Sequence, residues 1–293
     1  MRIKGAFTLL VTPFDESMNL DEKGLRTLVR RQLDNKITGI APLGVTGENP
    51  ALSEEEIKRV VEIVREEANG RCQVAPDTCS NNLDQTIRRI QLFADLGCDF
   101  AVVFAPFLVK PLPEGVLNFY EKLAEVSKIP ILIHNAPARV GINIDPIHYA
   151  KLASLEKIVG TKDGNKQMDH LAKILYKTRD FEFDVFTGKD TTAYPLLSFG
   201  GSGVFTVAGN IVPAVMINLT KECLAGNMNK ARDIHFSYYE LFEALRFETN
   251  PMAVKEALRL MGLPGGGVRP PLTRLSEPKR DILKRLLRKK DLV

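Results

Sequence analysis

The chain has 293 residues, 44% of them hydrophobic and 26% charged, a balance that supports a sizeable buried core and excludes a disordered chain. The 40 basic and 36 acidic side chains leave a formal net charge of +4, and no nucleic-acid motif accompanies that small excess. Four cysteines, Cys72, Cys79, Cys98 and Cys223, lack Cys-x-x-Cys spacing, and with only four histidines they suggest neither a zinc site nor a disulfide framework; they are expected to be reduced.

The apolar stretch Phe7 to Val11, part of the run from Gly5 to Val11, is too short and meets Pro13 and Asp15 too soon to be a signal peptide or a membrane span. A cytoplasmic protein is expected. That run is the first of eight strand candidates, the others being Gly39 to Leu43, Gln73 to Pro76, Phe100 to Ala105, Ile131 to Asn135, Ile158 to Lys162, Phe183 to Thr187 and Gly203 to Val207. Between them the apolar residues recur at helical spacing, as in Leu25 to Leu33, Leu83 to Leu96, Val116 to Val126 and Pro213 to Leu224. The clearest helix start is Ser53, whose hydroxyl can cap free amides while Glu56 reaches back; Ile57, Val60, Val61 and Val64 continue it to a stop at Gly70.

Eight strand–helix pairs without a break in composition predict an α/β fold, a TIM (β/α)8 barrel with a C-terminal helical appendage. A GxGxxG turn after the first strand, which would argue for an open sheet, is absent. The barrel is assigned to residues 1–225. Residues 226–293 form a helical region packed on it, with helices expected at Met228 to Glu248, Pro251 to Met261 and Glu277 to Lys290. In the last of these Ile282, Leu283, Leu286 and Leu287 interleave the basic residues, which predicts an amphipathic helix with a solvated basic face.

In such barrels the chemistry lies at the C-terminal ends of the strands. Lys162 ends the sixth, and an amine leaving a buried strand can lose its proton and attack a carbonyl to form a Schiff base. Thr46, Asp77, Thr78, His134, Asn135, Gly188, Asp190 and Asn210 share that rim.

These residues and their surroundings resemble the dihydrodipicolinate synthase and N-acetylneuraminate lyase family of class I pyruvate aldolases. The marks run in order along nearly the whole chain: Val11 to Phe14, Gly44 to Glu48, Ala105 to Phe107, Asn135 to Gly141, Gly160 to Asp163 and Glu248 to Pro251. The resemblance implies that Lys162 condenses with pyruvate or another 2-keto acid, and that the enamine then attacks an aldehyde such as aspartate semialdehyde. It implies no metal and no organic cofactor, and a homotetramer. Arg139 would hold the carboxylate of the second substrate, a task that suits its planar fork. Val45 and Thr46 would receive the keto-acid carboxylate in the glycine-flanked loop Gly44 to Gly47. Gly188 and Phe205 are expected to complete the substrate pocket. Asn81 lies where the family often binds an allosteric amino acid.

Three family hydroxyls are missing. His134 stands where the family has a proton-shuttling tyrosine, Val45 replaces a threonine, and Leu108 replaces a second tyrosine contributed across a subunit interface. Each missing acid or base typically costs about a hundredfold. His134 is the candidate replacement, since imidazole titrates near neutrality, and Asp77 or Cys79 could orient it. The alternatives are a 2-keto-3-deoxy sugar acid aldolase or dehydratase of the same family, and a non-catalytic paralogue that binds a keto acid. Asp163 and Asp190 are expected to orient loops or cap helices. Only small-molecule substrates are expected, with no nucleic acid and no membrane partner.

Overall fold

A computed structural model of the chain describes residues 3–293; residues 1 and 2, counted above in the barrel segment, lie outside the described residues. Eight strands occur in the predicted places: β1 Gly5–Leu9, β2 Gly39–Ala41, β3 Gln73–Val74, β4 Ala101–Phe104, β5 Ile131–Asn135, β6 Ile158–Asp163, β7 Asp184–Thr187 and β8 Gly203–Thr206. All the named pairings are parallel, in the order β3-β2-β1-β8-β7-β6-β5-β4. The seam between β3 and β4 is closed by the segment after β3. There Asp77 bridges Val102 in parallel, Val102 N–H donates to Pro76 O at 2.9 Å and Thr78 N–H to Val102 O at 2.9 Å. The ring is therefore complete, as the sequence predicts for a barrel.

Nearly every strand residue is buried, because one face fills the barrel and the other meets the surrounding helices. That burial makes the strands readable as apolar runs. Inside, Phe7 stacks on Phe205 at 4.9 Å between centroids and meets Phe100 and Phe186 edge-on at 5.7 Å. A Cβ at Gly39 would fall 2.2 Å from the Phe7 ring, so the glycine makes room for it.

The outer layer includes helices Glu22–Asp34, Glu54–Ala68, Leu83–Asp95, Pro113–Val126, Met168–Thr178 and Pro213–Leu224. The capping box forms as read: Ser53 Oγ accepts from Glu56 N–H at 3.2 Å, and Glu56 Oε2 accepts from Ser53 N–H at 3.0 Å. Shorter helices at Tyr149–Ala153 and Ala193–Ser198 precede and follow β6 and β7.

Beyond the eighth pair the chain continues in helices Met228–Ser237, Tyr239–Ala244, Met252–Leu260 and Glu277–Arg288. The single helix expected from Met228 to Glu248 is thus corrected to two. Tyr238 leaves helical geometry at φ −111° and ψ 3°, and beyond this bend Leu241, Phe242 and Ala244 are buried. In the last helix Leu283 and Leu287 are buried while Arg280 pairs with Glu256 at 2.6 Å and Lys289 with Glu240 at 2.9 Å.

A buried ion pair fastens this region to the barrel rim. Lys255 Nζ lies 2.5 Å from Glu48 Oε1 and donates to Gly267 O at 2.6 Å. Arg269 grips Glu56 through both guanidinium nitrogens at 2.6 and 2.7 Å. The Phe14 ring lies 4.2 Å from each of the two cations, an attraction that adds to the ion pairs.

Candidate active site

Lys162 lies near the C-terminal end of β6 with 3% of its surface exposed, and among the described residues its side chain makes no hydrogen bond or salt bridge. Burial pushes its amine down to about 8, against the pull of Asp77 and with help from Arg246. Roughly a tenth of such amines are neutral at pH 7, about two hundredfold more than for a solvated lysine. Its Nζ lies 5.6 Å from the centroid of the Phe205 ring. A Cβ at Gly188 would come within 3.2 Å of Lys162 Cε, so the bare backbone there leaves the lysine its space.

His134 on β5 is the register partner of Lys162, so the two side chains stand on neighbouring strands at the same level. Its Nδ1 lies 2.9 Å from Asp77 Oδ2, and its ring packs against Phe104 with centroids 3.8 Å apart. Burial, reinforced by the Lys162 charge and opposed by Asp77, pushes the imidazole down to about 4. The expectation that it titrates near neutrality is corrected accordingly: the ring stays neutral, and Asp77 holds its proton on Nδ1, which leaves Nε2 as the basic nitrogen. Asp77 is itself placed by the barrel seam, and its Oδ1 accepts from Cys79 N–H at 3.0 Å.

A cavity of about 120 Å³ opens above these groups, lined by Val45, Thr46, His134, Arg139, Lys162 and Gly188 among others. Six of the seven residues singled out from sequence therefore converge. Phe205 does not line it. Wholly buried and stacked on Phe7, that ring forms the floor beneath the lysine instead of a substrate-facing wall.

The loop after β2 presents Val45 and Thr46. Their amides donate to no acceptor among the described residues, while Gly47 and Glu48 N–H bond back to Gly44 and Val45 carbonyls. Two open amides in a tight turn make an anion-binding nest. Gly47 is required there, since a Cβ would fall 2.8 Å from Leu43 N and 3.3 Å from Leu10 O. Thr46 Oγ1 accepts from Asn250 Nδ2 at 2.8 Å, which ties the loop to the C-terminal region. Arg139 rides on a single helical turn, Pro137–Val140, ended by Gly141 at φ +77°.

The other rim residues are structural. Asp163 accepts from Asn135 Nδ2 at 2.7 Å and from Asn165 N–H at 2.6 Å, and so orients a loop as expected. Asp190 takes Thr206 Oγ1 and the N–H of Ala208, the first residue of the 3-10 turn Ala208–Asn210, and so orients the loop after β8 as expected. Asn210 bonds Leu9 O at 2.8 Å and belongs to the β8–β1 junction.

Sequence reasoning missed Lys189 and Arg246, which also line the cavity. Lys189 follows Gly188 at a strand end, a position that signals the rim. Arg246 arrives from the C-terminal region, where its Nη2 donates to Gly188 O at 2.8 Å, and nothing local in the sequence announces that contact. A larger groove of about 340 Å³ shares Val45, Arg139 and Asn250 with the cavity and runs over Phe104, Phe107 and Pro270 without reaching Lys162. Among the described residues no cluster of three His, Cys, Asp or Glu is placed to hold a metal ion, and no helix is long and apolar enough to cross a membrane.

The dihydrodipicolinate synthetase family model matches residues 2–290. Similar proteins include the 4-hydroxy-tetrahydrodipicolinate synthases of Syntrophus aciditrophicus, 40% identical over 99% of both chains, and of Methanospirillum hungatei, 37% identical over 98% of this chain and 99% of that one. Among solved structures, dihydrodipicolinate synthase of Thermotoga maritima superposes with a TM-score of 0.97 at 33% identity over all of both chains. The Acinetobacter baumannii synthase complexed with pyruvate gives 0.97 at 30% identity over 99% of this chain and all of that one.

Proposed function

The chain belongs to the dihydrodipicolinate synthetase family and is a class I, Schiff-base-forming aldolase or lyase; from that premise we propose that Lys162 is its nucleophile and His134 its proton relay, acting on pyruvate or a related 2-keto acid. The observation that carries this reading is the desolvated, unpaired amine of Lys162 at the floor of the cavity.

In this reading the keto-acid carboxylate rests on the Val45 and Thr46 amides. The neutral amine adds to the keto carbon, water leaves, and the iminium draws electrons from the adjacent methyl group. Nε2 of His134 takes the methyl proton, giving the enamine, and Asp77 keeps the imidazole in the tautomer that can accept it. The enamine attacks an aldehyde such as aspartate semialdehyde, whose carboxylate Arg139 holds. The buried histidine thereby does the work of the absent hydroxyls at Val45 and Leu108.

Cleavage of a 2-keto-3-deoxy acid is the same sequence run backwards and uses the same groups. A keto-acid binder without catalysis has no use for a partnerless buried amine. The reading carries with it a cytoplasmic homotetramer, and the exposed run Leu108, Val109 and Leu112 supports self-association; light scattering tests the assembly.

Incubation with pyruvate and borohydride followed by mass spectrometry tests the chemistry. One reduced pyruvate adduct is expected on the wild-type chain and none on Lys162→Ala; no adduct on the wild type would overturn the assignment.

A further inference from the structure

The connector between the helices Tyr239–Ala244 and Met252–Leu260 spans the barrel rim from the loop after β7 to the loop after β2. At one end Arg246 Nη2 donates to Gly188 O at 2.8 Å. At the other Asn250 Nδ2 donates to Thr46 Oγ1 at 2.8 Å. The last helix and the residue that precedes it back this strap: Lys279 Nζ donates to Phe247 O at 2.9 Å and pairs with Glu248 at 3.2 Å, and Glu248 accepts from Ser276 Oγ at 2.8 Å. Pinned from both sides, the strap holds Asn250 in a fixed place on the wall of the Lys162 cavity.

A threonine hydroxyl has one proton to give and lone pairs to receive. Thr46 Oγ1 receives from Asn250, so its own proton is turned away from that amide, and it meets no acceptor among the described residues. Thr46 is only 2% exposed, and a buried donor without an acceptor costs free energy until something accepts from it. The cavity that Thr46 lines beside Lys162 is where an acceptor can arrive. Asn250 Oδ1 is buried with no donor, so the bond to Thr46 is the one hydrogen bond its side chain makes among the described residues.

We propose that Asn250 is a positioning residue for the keto acid: by filling the acceptor side of Thr46 Oγ1 it commits the hydroxyl proton to the substrate carboxylate, alongside the Val45 and Thr46 amides. This deepens the Schiff-base reading above and rests on it. Asn250 touches no reacting atom. Its bond polarises the hydroxyl and so strengthens the one that Thr46 donates, and the strap has that donor aimed before the substrate enters. The C-terminal region thus takes part in keto-acid binding through a single amide.

The test measures KM and kcat for exchange of the pyruvate methyl protons into deuterated water. Thr46→Val removes the donor and is expected to raise KM by about tenfold, the worth of one hydrogen bond to a charged group. Asn250→Asp replaces the amide N–H by an acceptor that captures the hydroxyl proton, and KM should rise at least as far. Asn250→Ala frees the hydroxyl to rotate and should raise KM by about threefold, with kcat within about twofold of the wild type. In the Thr46→Val background Asn250→Ala should change KM no further. An unchanged KM in Asn250→Asp overturns the proposal. So does an equal rise from Asn250→Ala with and without the Thr46 hydroxyl, which would make the asparagine a packing residue of the strap. Tm identifies a variant that fails to fold, and the other asparagine variant then decides. The borohydride adduct at saturating pyruvate is recorded in parallel: its presence without this KM pattern defeats the inference alone, whereas its absence on the wild type defeats the Schiff-base reading first.

Discussion

Asp77 and His134, 57 residues apart in sequence, meet at 2.9 Å beside the seam where the barrel closes. The carboxylate fixes which imidazole nitrogen carries the proton. In Asp77→Asn the amide can donate to Nδ1 instead, moving the ring proton to Nε2 and leaving no base toward the substrate. Exchange of the pyruvate methyl protons into deuterated water, followed by NMR, is expected to slow by about a hundredfold, while the borohydride adduct on Lys162 still forms. Unchanged exchange would show that the imidazole needs no partner.

The amine at about 8 and the imidazole at about 4 set a pH profile. Adduct formation should rise with pH as Lys162 loses its proton and level off above about 8, where an ordinary lysine would still be climbing toward 10.4. No loss of the His134 base is expected until the pH nears 4. A single inflection near neutrality in the exchange rate, removed by His134→Phe, would contradict this order.

Stability should fall on the acid side for a related reason. His134 and His235 are both pushed down to about 4, chiefly by burial, the latter among Tyr194, Tyr239 and Phe242. Below pH 6.5 the unfolded chain takes up protons that the folded chain refuses, so each histidine costs up to about 1.4 kcal/mol per pH unit between 6.5 and 4. Calorimetry of His235→Phe at pH 7 and pH 5 should show a smaller drop in Tm than the wild type; an equal drop rules this histidine out.

Glu48 and Lys255 form an ion pair in which each side chain is only 2% exposed. Glu48→Gln strands the ammonium, and urea titration is expected to register a loss of about 3 kcal/mol. The double variant Glu48→Leu with Lys255→Met removes both charges and should lose less. A larger loss in the double variant would mean that the pair itself stabilises the rim.

Gly47→Ala places a methyl group 2.8 Å from Leu43 N and must displace the turn that presents the Val45 and Thr46 amides. Pyruvate KM in the exchange assay is expected to rise by about tenfold with little change in Tm. An unchanged KM would remove those amides from the keto-acid site.

The strands were legible because burial on both faces leaves continuous apolar runs, and Lys162, Thr46 and Arg139 were legible because strand ends in a barrel converge. Strand limits were less so: β2 stops at Ala41 and β3 at Val74, short of the apolar residues that continue into the loops. The bend at Tyr238 was hidden because helical spacing carries on through it. Lys189 and Arg246 escaped for a different reason. Their meeting over Gly188 depends on how the C-terminal helices lie across the barrel, which no local pattern encodes. Phe205 was misjudged because strand alternation does not say whether an inward ring faces the substrate or the layer below.

Asp77 serves as both the rung that joins the last open edge of the ring to Val102 and the acceptor that sets the polarity of the neighbouring imidazole. A chain arrested with that edge unzipped would keep its lysine yet carry a histidine with no assigned orientation. Turnover in this molecule would then act as its own inspection of topology, silent until the circle is whole.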